Sequence, residues 1–64
     1  MAPPTRAHLG SLQHRLEDVQ RELLLAADGL QSDGREDLAK ELAELERAVA
    51  VTGRRLRRIT KALP

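Results

Sequence analysis

Apolar side chains recur along this chain at steps of three and four residues. Leu9, Leu12, Leu16, Val19, Leu23, Ala26 and Leu30 make a first run, spaced 3, 4, 3, 4, 3, 4. Leu38, Leu42, Leu45, Val49, Thr52, Leu56, Ile59 and Leu63 make a second, spaced 4, 3, 4, 3, 4, 3, 4. Steps averaging 3.5 lay a single stripe along an α-helix, and the strict alternation that a half-buried strand needs is absent. Of these fifteen positions only Thr52 is polar and only Ala26 is small. The pattern predicts two helices, each turning one stripe toward a partner.

The residues between and around the runs supply the boundaries: helix 1 over about 5–30, a turn over about 29–34 and helix 2 over about 34–63. Thr5, behind Pro3 and Pro4, suits an N-cap, because its hydroxyl can accept an orphaned backbone N–H. Two readings of the break remain open. In one, Gly29 takes the left-handed conformation and Leu30 folds back on Leu25, as in a Schellman motif. In the other, helix 1 runs through Leu30 and breaks at Ser32-Asp33-Gly34. Asp33 followed by Glu36 is a capping-box variant that starts helix 2, and Pro64 ends it. Helices of similar length joined by so few residues form an antiparallel hairpin. The fold class is therefore all-α, one domain over residues 1–64.

Length decides what the stripes are for. Sixty-four residues struggle to bury a self-sufficient core, and folds this small draw on disulfides, a metal or oligomerisation. The chain has no cysteine, which excludes disulfides and thiolate metal sites and permits a reducing compartment. Self-association is the stabiliser left. The expected assembly is a homodimer in which two hairpins make a four-helix bundle. Its core would be Leu9, Leu12, Leu16, Val19, Leu23, Leu38, Leu42, Leu45, Val49, Leu56, Ile59 and Leu63. Leu24, Leu25, Ala50 and Val51 lie off the stripe and widen the apolar surface.

The longest apolar run, Leu23-Leu24-Leu25-Ala26-Ala27, is far short of the ~20 residues of a membrane span. Met1-Ala2-Pro3-Pro4-Thr5-Arg6 has no hydrophobic stretch behind its charge and does not read as a signal peptide. The expectation is a soluble cytoplasmic protein.

Candidate chemistry is sparse. Ser11, His14 and Asp18 share a helical face at i, i+3 and i+7, the residue types of a nucleophile, a base and an orienting acid. They fall on outward positions, where nothing forms a pocket or an oxyanion hole. His8 and His14 are six apart and point to different sides, unlike the i, i+4 pair that chelates zinc. Gly10, Gly29, Gly34 and Gly53 follow no nucleotide-binding pattern. The expectation is a non-enzymatic protein with no catalytic, cofactor or metal residues.

The net charge of +1 hides a segregation. Residues 33–46 carry six acids against Arg35 and Lys40, whereas residues 47–64 carry six bases and no acid. Arg54, Arg57, Arg58 and Lys61 fall opposite Leu56, Ile59 and Leu63 on the helical wheel, with Arg55 on the flank. Cations near a helix C-terminus complement the macrodipole, but that help fades within the last turn and this run is longer. In a hairpin, Arg6, Arg15 and both histidines lie at the same end. Three partners fit such a pole. One is the second protomer, whose acidic turn end lies alongside if the turns are at opposite ends of the bundle. Another is nucleic acid, read through duplex backbone and shape because no aromatic side chain exists to stack on bases. The third is an acidic protein or an anionic membrane surface.

Leu30, Asp33, Asp37, Leu38 and Leu42, across the turn, resemble the corresponding stretch of the Rop (repressor of primer) family, over about a fifth of the chain. The resemblance implies a helical hairpin dimerising into an antiparallel four-helix bundle. Rop-like proteins bind paired RNA loops through an exposed face of the first helix, using an aromatic with polar and basic neighbours. Here that face offers Ser11, His14, Arg15, Asp18 and Arg21, with Glu17 and Glu22 beside them and no phenylalanine, so the RNA contacts do not carry over. The chain is expected to act as a self-associating interaction module, regulatory or scaffolding. The alternative is a duplex RNA- or DNA-binding regulator using Arg54, Arg55, Arg57, Arg58 and Lys61.

Overall fold

The computed structural model describes residues 5–63 and contains two α-helices, α1 (Thr5–Ser32) and α2 (Glu36–Ala62). Pro3 and Pro4 ahead of the first helix, and Pro64 after the second, lie outside the described residues. The helices pack antiparallel into a rod of 52 × 16 × 12 Å. Its radius of gyration is 15.1 Å, against about 11 Å for a globular domain of this length. The elongation follows from the three-residue connection, which leaves each helix only its neighbour to pack on.

The break falls at the second of the two places the sequence allows. Helix α1 continues through Gly29 and Leu30 to Ser32, and Gly34 alone adopts a positive φ, 79°. The Gly34 N–H donates to the Gln31 carbonyl at 3.1 Å and the Arg35 N–H to the Leu30 carbonyl at 2.8 Å. These two bonds are a Schellman closure with glycine in the left-handed position.

That closure overturns the expected capping box. Arg35, not Asp33, is the N-cap residue of α2, with φ −97° and ψ 62°, and no side chain caps it. Gly34 reverses the chain so abruptly that Asp33 stays on the end of α1, donating its own N–H to the Gly29 carbonyl at 3.1 Å. Glu36 and Asp37 in the first turn of α2 meet the positive end of its macrodipole instead. Arg35 pairs with Asp37 at 3.6 Å.

The far end of the hairpin is tied by Arg6, whose guanidinium donates to the Leu63 carbonyl. Thr60 folds its hydroxyl back on the Leu56 carbonyl at 2.9 Å, and Leu63 leaves the helix in an extended conformation.

The row one residue after the leucine stripe also turns toward the other helix. Gln13, Glu17 and Gln20 on α1, with Ala43, Glu46, Ala50 and Thr60 on α2, are half-buried there, whereas Leu24, Gln31 and Arg57 in the same row remain exposed. Ala27, Ala39 and Gly53 are the buried residues of the two helices. A Cβ on Gly53 would sit 3.4 Å from Gln13 Nε2, which places those two residues level across the hairpin. The same register carries Ala27 to Ala39 and Gln20 to Glu46. Small side chains let the backbones approach, and the approach turns the leucines to one side of the rod. The amide of Gln13 lies in the closest part of this contact, where its Oε1 is shut off from solvent with no donor to meet it.

Candidate functional site: an apolar face and a basic groove

The leucine stripe divides into two rows. Leu9, Leu16, Leu23 and Leu30 on α1, with Leu42, Val49, Leu56 and Leu63 on α2, lean toward the neighbouring helix and are half-buried. In the second row Val19 and Ala26, with Leu45, Thr52 and Ile59, are exposed, while Leu12 and Leu38 are half-buried. Val19, Leu45 and Ile59 remain 43%, 54% and 55% exposed. Among the described residues no large side chain is fully buried. One side of the rod is thus a continuous apolar strip, hollowed near the turn into a depression of about 540 Å³ between Leu30, Leu38, Leu42 and Leu45. Leu25, 70% exposed, and Val51, 45% exposed, lie off this strip on outward positions.

The total accessible area is 5163 Å², whereas a folded monomer of 7.1 kDa exposes about 4,100 Å². The excess, on the order of 1,000 Å², is comparable to what one partner buries in a standard-size or larger protein interface.

Arg6, His8, His14 and Arg15 share one end of the rod with the cations of α2, as expected of the hairpin, but they do not share one face. Arg54, Arg57, Arg58 and Lys61 lie toward the opposite side of the rod from the apolar strip, where the helices leave a groove. Arg6, His14, Arg57 and Lys61 line its outer part, about 300 Å³, and Arg21, Arg54 and Arg57 its longer inner part, about 580 Å³. Arg57 reaches Glu17 at 3.6 Å across the helices. Arg54, Arg55, Arg58 and Lys61 meet no carboxylate among the described residues. Arg15 and Arg55 belong to the same end but sit on the margins of the apolar strip, Arg55 on the flank where the wheel put it. Two further cations escaped the sequence reading. Lys40 and Arg47 stand with Arg54 and Lys61 at seven-residue spacing, all exposed, along the outer ridge of α2. The heptad spacing of the cations themselves was the available signal.

Ser11, His14 and Asp18 do not converge. His14, whose side chain is 86% exposed, turns to Glu17 at 3.7 Å, and Asp18 pairs with Arg21. Among the described residues no three histidine, aspartate or glutamate side chains gather as a metal site would require. No helix is long and apolar enough to cross a membrane.

Searches of protein-family models, curated proteins and solved structures returned no match to this chain.

Proposed function

We propose that this chain is a self-associating interaction module, regulatory or scaffolding in role, whose apolar strip is covered by a second copy to make a four-helix bundle. The observation that carries the reading is the exposure of Val19, Leu45 and Ile59 on a strip that runs the length of both helices. Apolar surface costs about 25 cal/mol per Å² to leave in water, and continuous exposed apolar surface of this extent marks an interaction site. The chain offers no other large core to offset the loss. The likeness of the turn to Rop-like hairpins points the same way.

Sedimentation equilibrium and circular dichroism across a micromolar concentration series test it. Helicity and mass should fall together on dilution, and Leu45→Asp should abolish association. A chain that stays helical and monomeric at tens of micromolar overturns the proposal.

A second reading, duplex nucleic-acid binding, is favoured by the cations along the groove and ridge that lack a carboxylate partner. They lie away from the apolar strip and stay available after dimerisation. Replacing Arg54, Arg57, Arg58 and Lys61 by Gln should then remove a salt-sensitive affinity for duplex RNA or DNA without dissociating the dimer. Unaltered binding, or none in the parent chain, removes this reading.

A further inference from the structure

Resting on the self-association just proposed, we infer that the second copy docks with its turn at the opposite end of the bundle, selected by four charges on the margins of the apolar strip. Two identical faces can meet about a two-fold axis in two ways. An axis along the rod puts both turns at one end and seats α1 on α2 of the partner. An axis across the rod puts the turns at opposite ends and seats α1 on α1, and α2 on α2, of the partner.

The side chains that meet along those seams stand one residue before the inner leucine row, on the flank away from the hairpin contact. They are His8, Arg15, Glu22 and Gly29 on α1, and Glu41, Ala48, Arg55 and Ala62 on α2, all exposed. Arg15, Glu22, Glu41 and Arg55 make no ion pair or side-chain hydrogen bond with the described residues of their own protomer.

With turns at opposite ends and the axis crossing the middle of α1, where the two rods overlap fully, Arg15 lies level with Glu22 of the partner subunit, and Glu22 with Arg15 of the partner subunit. Because Gln13 and Gly53 fix the relative level of the two helices, the same axis sets Glu41 level with Arg55 of the partner subunit to within one residue, about 1.5 Å of rise. Ala48 then meets Ala48 of the partner subunit at the axis, where a small side chain allows α2 to approach its counterpart. With turns at one end, Arg15 lies four residues, about 6 Å of rise, from Arg55 of the partner subunit, Glu22 lies three residues, about 4.5 Å, from Glu41 of the partner subunit, and no opposite charges meet. Four complementary contacts replace clustered like charges, as flanking charges do in coiled coils. The acidic turn of each protomer also lies beside the arginine-rich end of the other.

Sedimentation equilibrium of the full chain at low salt tests the arrangement by sign. Arg15→Glu and Glu22→Arg should each raise the dissociation constant on the order of tenfold, because two symmetry-related attractions become repulsions. The double variant should return it to within about threefold of the parent. Within one helix these residues are seven apart, about 10.5 Å, so such rescue reports contact between copies. Ala48→Cys should form a disulfide-linked dimer on oxidation, whereas Ala62→Cys, about 40 Å from its counterpart, should not. Tighter association of Arg15→Glu, no response to either single substitution, or a dimerising Ala48→Cys chain that fails to cross-link would overturn the opposite-end arrangement and leave self-association standing. A parent chain that sediments as a monomer overturns self-association itself.

Discussion

Ala27, Ala39 and Gly53 on one flank of the hairpin are buried, whereas Val19, Leu45 and Ile59, one position earlier in the same seven-residue repeat, keep about half their surface in water. The two flanks have the same period and differ in side-chain size. The flank with little to bury closes the hairpin, because Ala27, Ala39 and Gly53 are small enough to let the two helices approach. The flank with most to bury stays open, because a leucine row between two helices this close would hold them apart. Intrachain packing and the larger apolar surface are thus assigned to adjacent stripes, and the second stays half-exposed within the single chain.

Truncating the open flank should give the largest effect. Leu45→Ala is expected to cost about 2–5 kcal/mol if a second copy covers the strip, and well under 1 kcal/mol if the strip meets only water. Chemical denaturation at two protein concentrations separates these outcomes. Enlarging the closed flank comes next. Gly53→Leu should cost about 1–3 kcal/mol by driving the side chain into Gln13 and splaying the helices. Gly53→Ala, whose Cβ fits at 3.4 Å, should stabilise by up to about 1 kcal/mol through helix propensity. Opposite signs for the two substitutions would show that approach distance, not composition, sets that flank.

At the turn, Gly34→Ala should cost about 1–2 kcal/mol, since φ of 79° is strained for any side chain with a Cβ. The smallest change lies on neither buried surface. Gly29 is inside α1 with open space where a Cβ would stand, so Gly29→Ala should add about 0.5–1 kcal/mol, read as a raised melting temperature.

Gly29 and Gly34 show how far local signals reach. Both glycines could end a helix, and residue type alone left the two breaks open. Gly34 closes α1 because the Arg35 and Gly34 N–H groups both find carbonyls there, whereas Gly29 is carried through as an ordinary helical residue. Asp33 and Glu36 carried the letters of a capping box, yet Asp33 closes onto the end of α1 while Glu36 opens α2 once the chain reverses at Gly34. At the candidate site, Arg54, Arg57, Arg58 and Lys61 were legible as a charged run. That Arg57 is occupied by Glu17, forty residues away in sequence, was not. Arg15 likewise took its place beside the apolar strip only when the rotation of each helix about its axis was known.

Helix type and the presence of an apolar stripe at a 3.5-residue period were determined by the sequence alone, since both arise from interactions within one or two turns of the chain. The tertiary structure decided which way each stripe faces. That choice rests on Gly53, Ala27 and Ala39, residues too small to give a hydrophobic signal. They act by letting two distant segments come close, and only once those segments meet do the leucines acquire an inside and an outside.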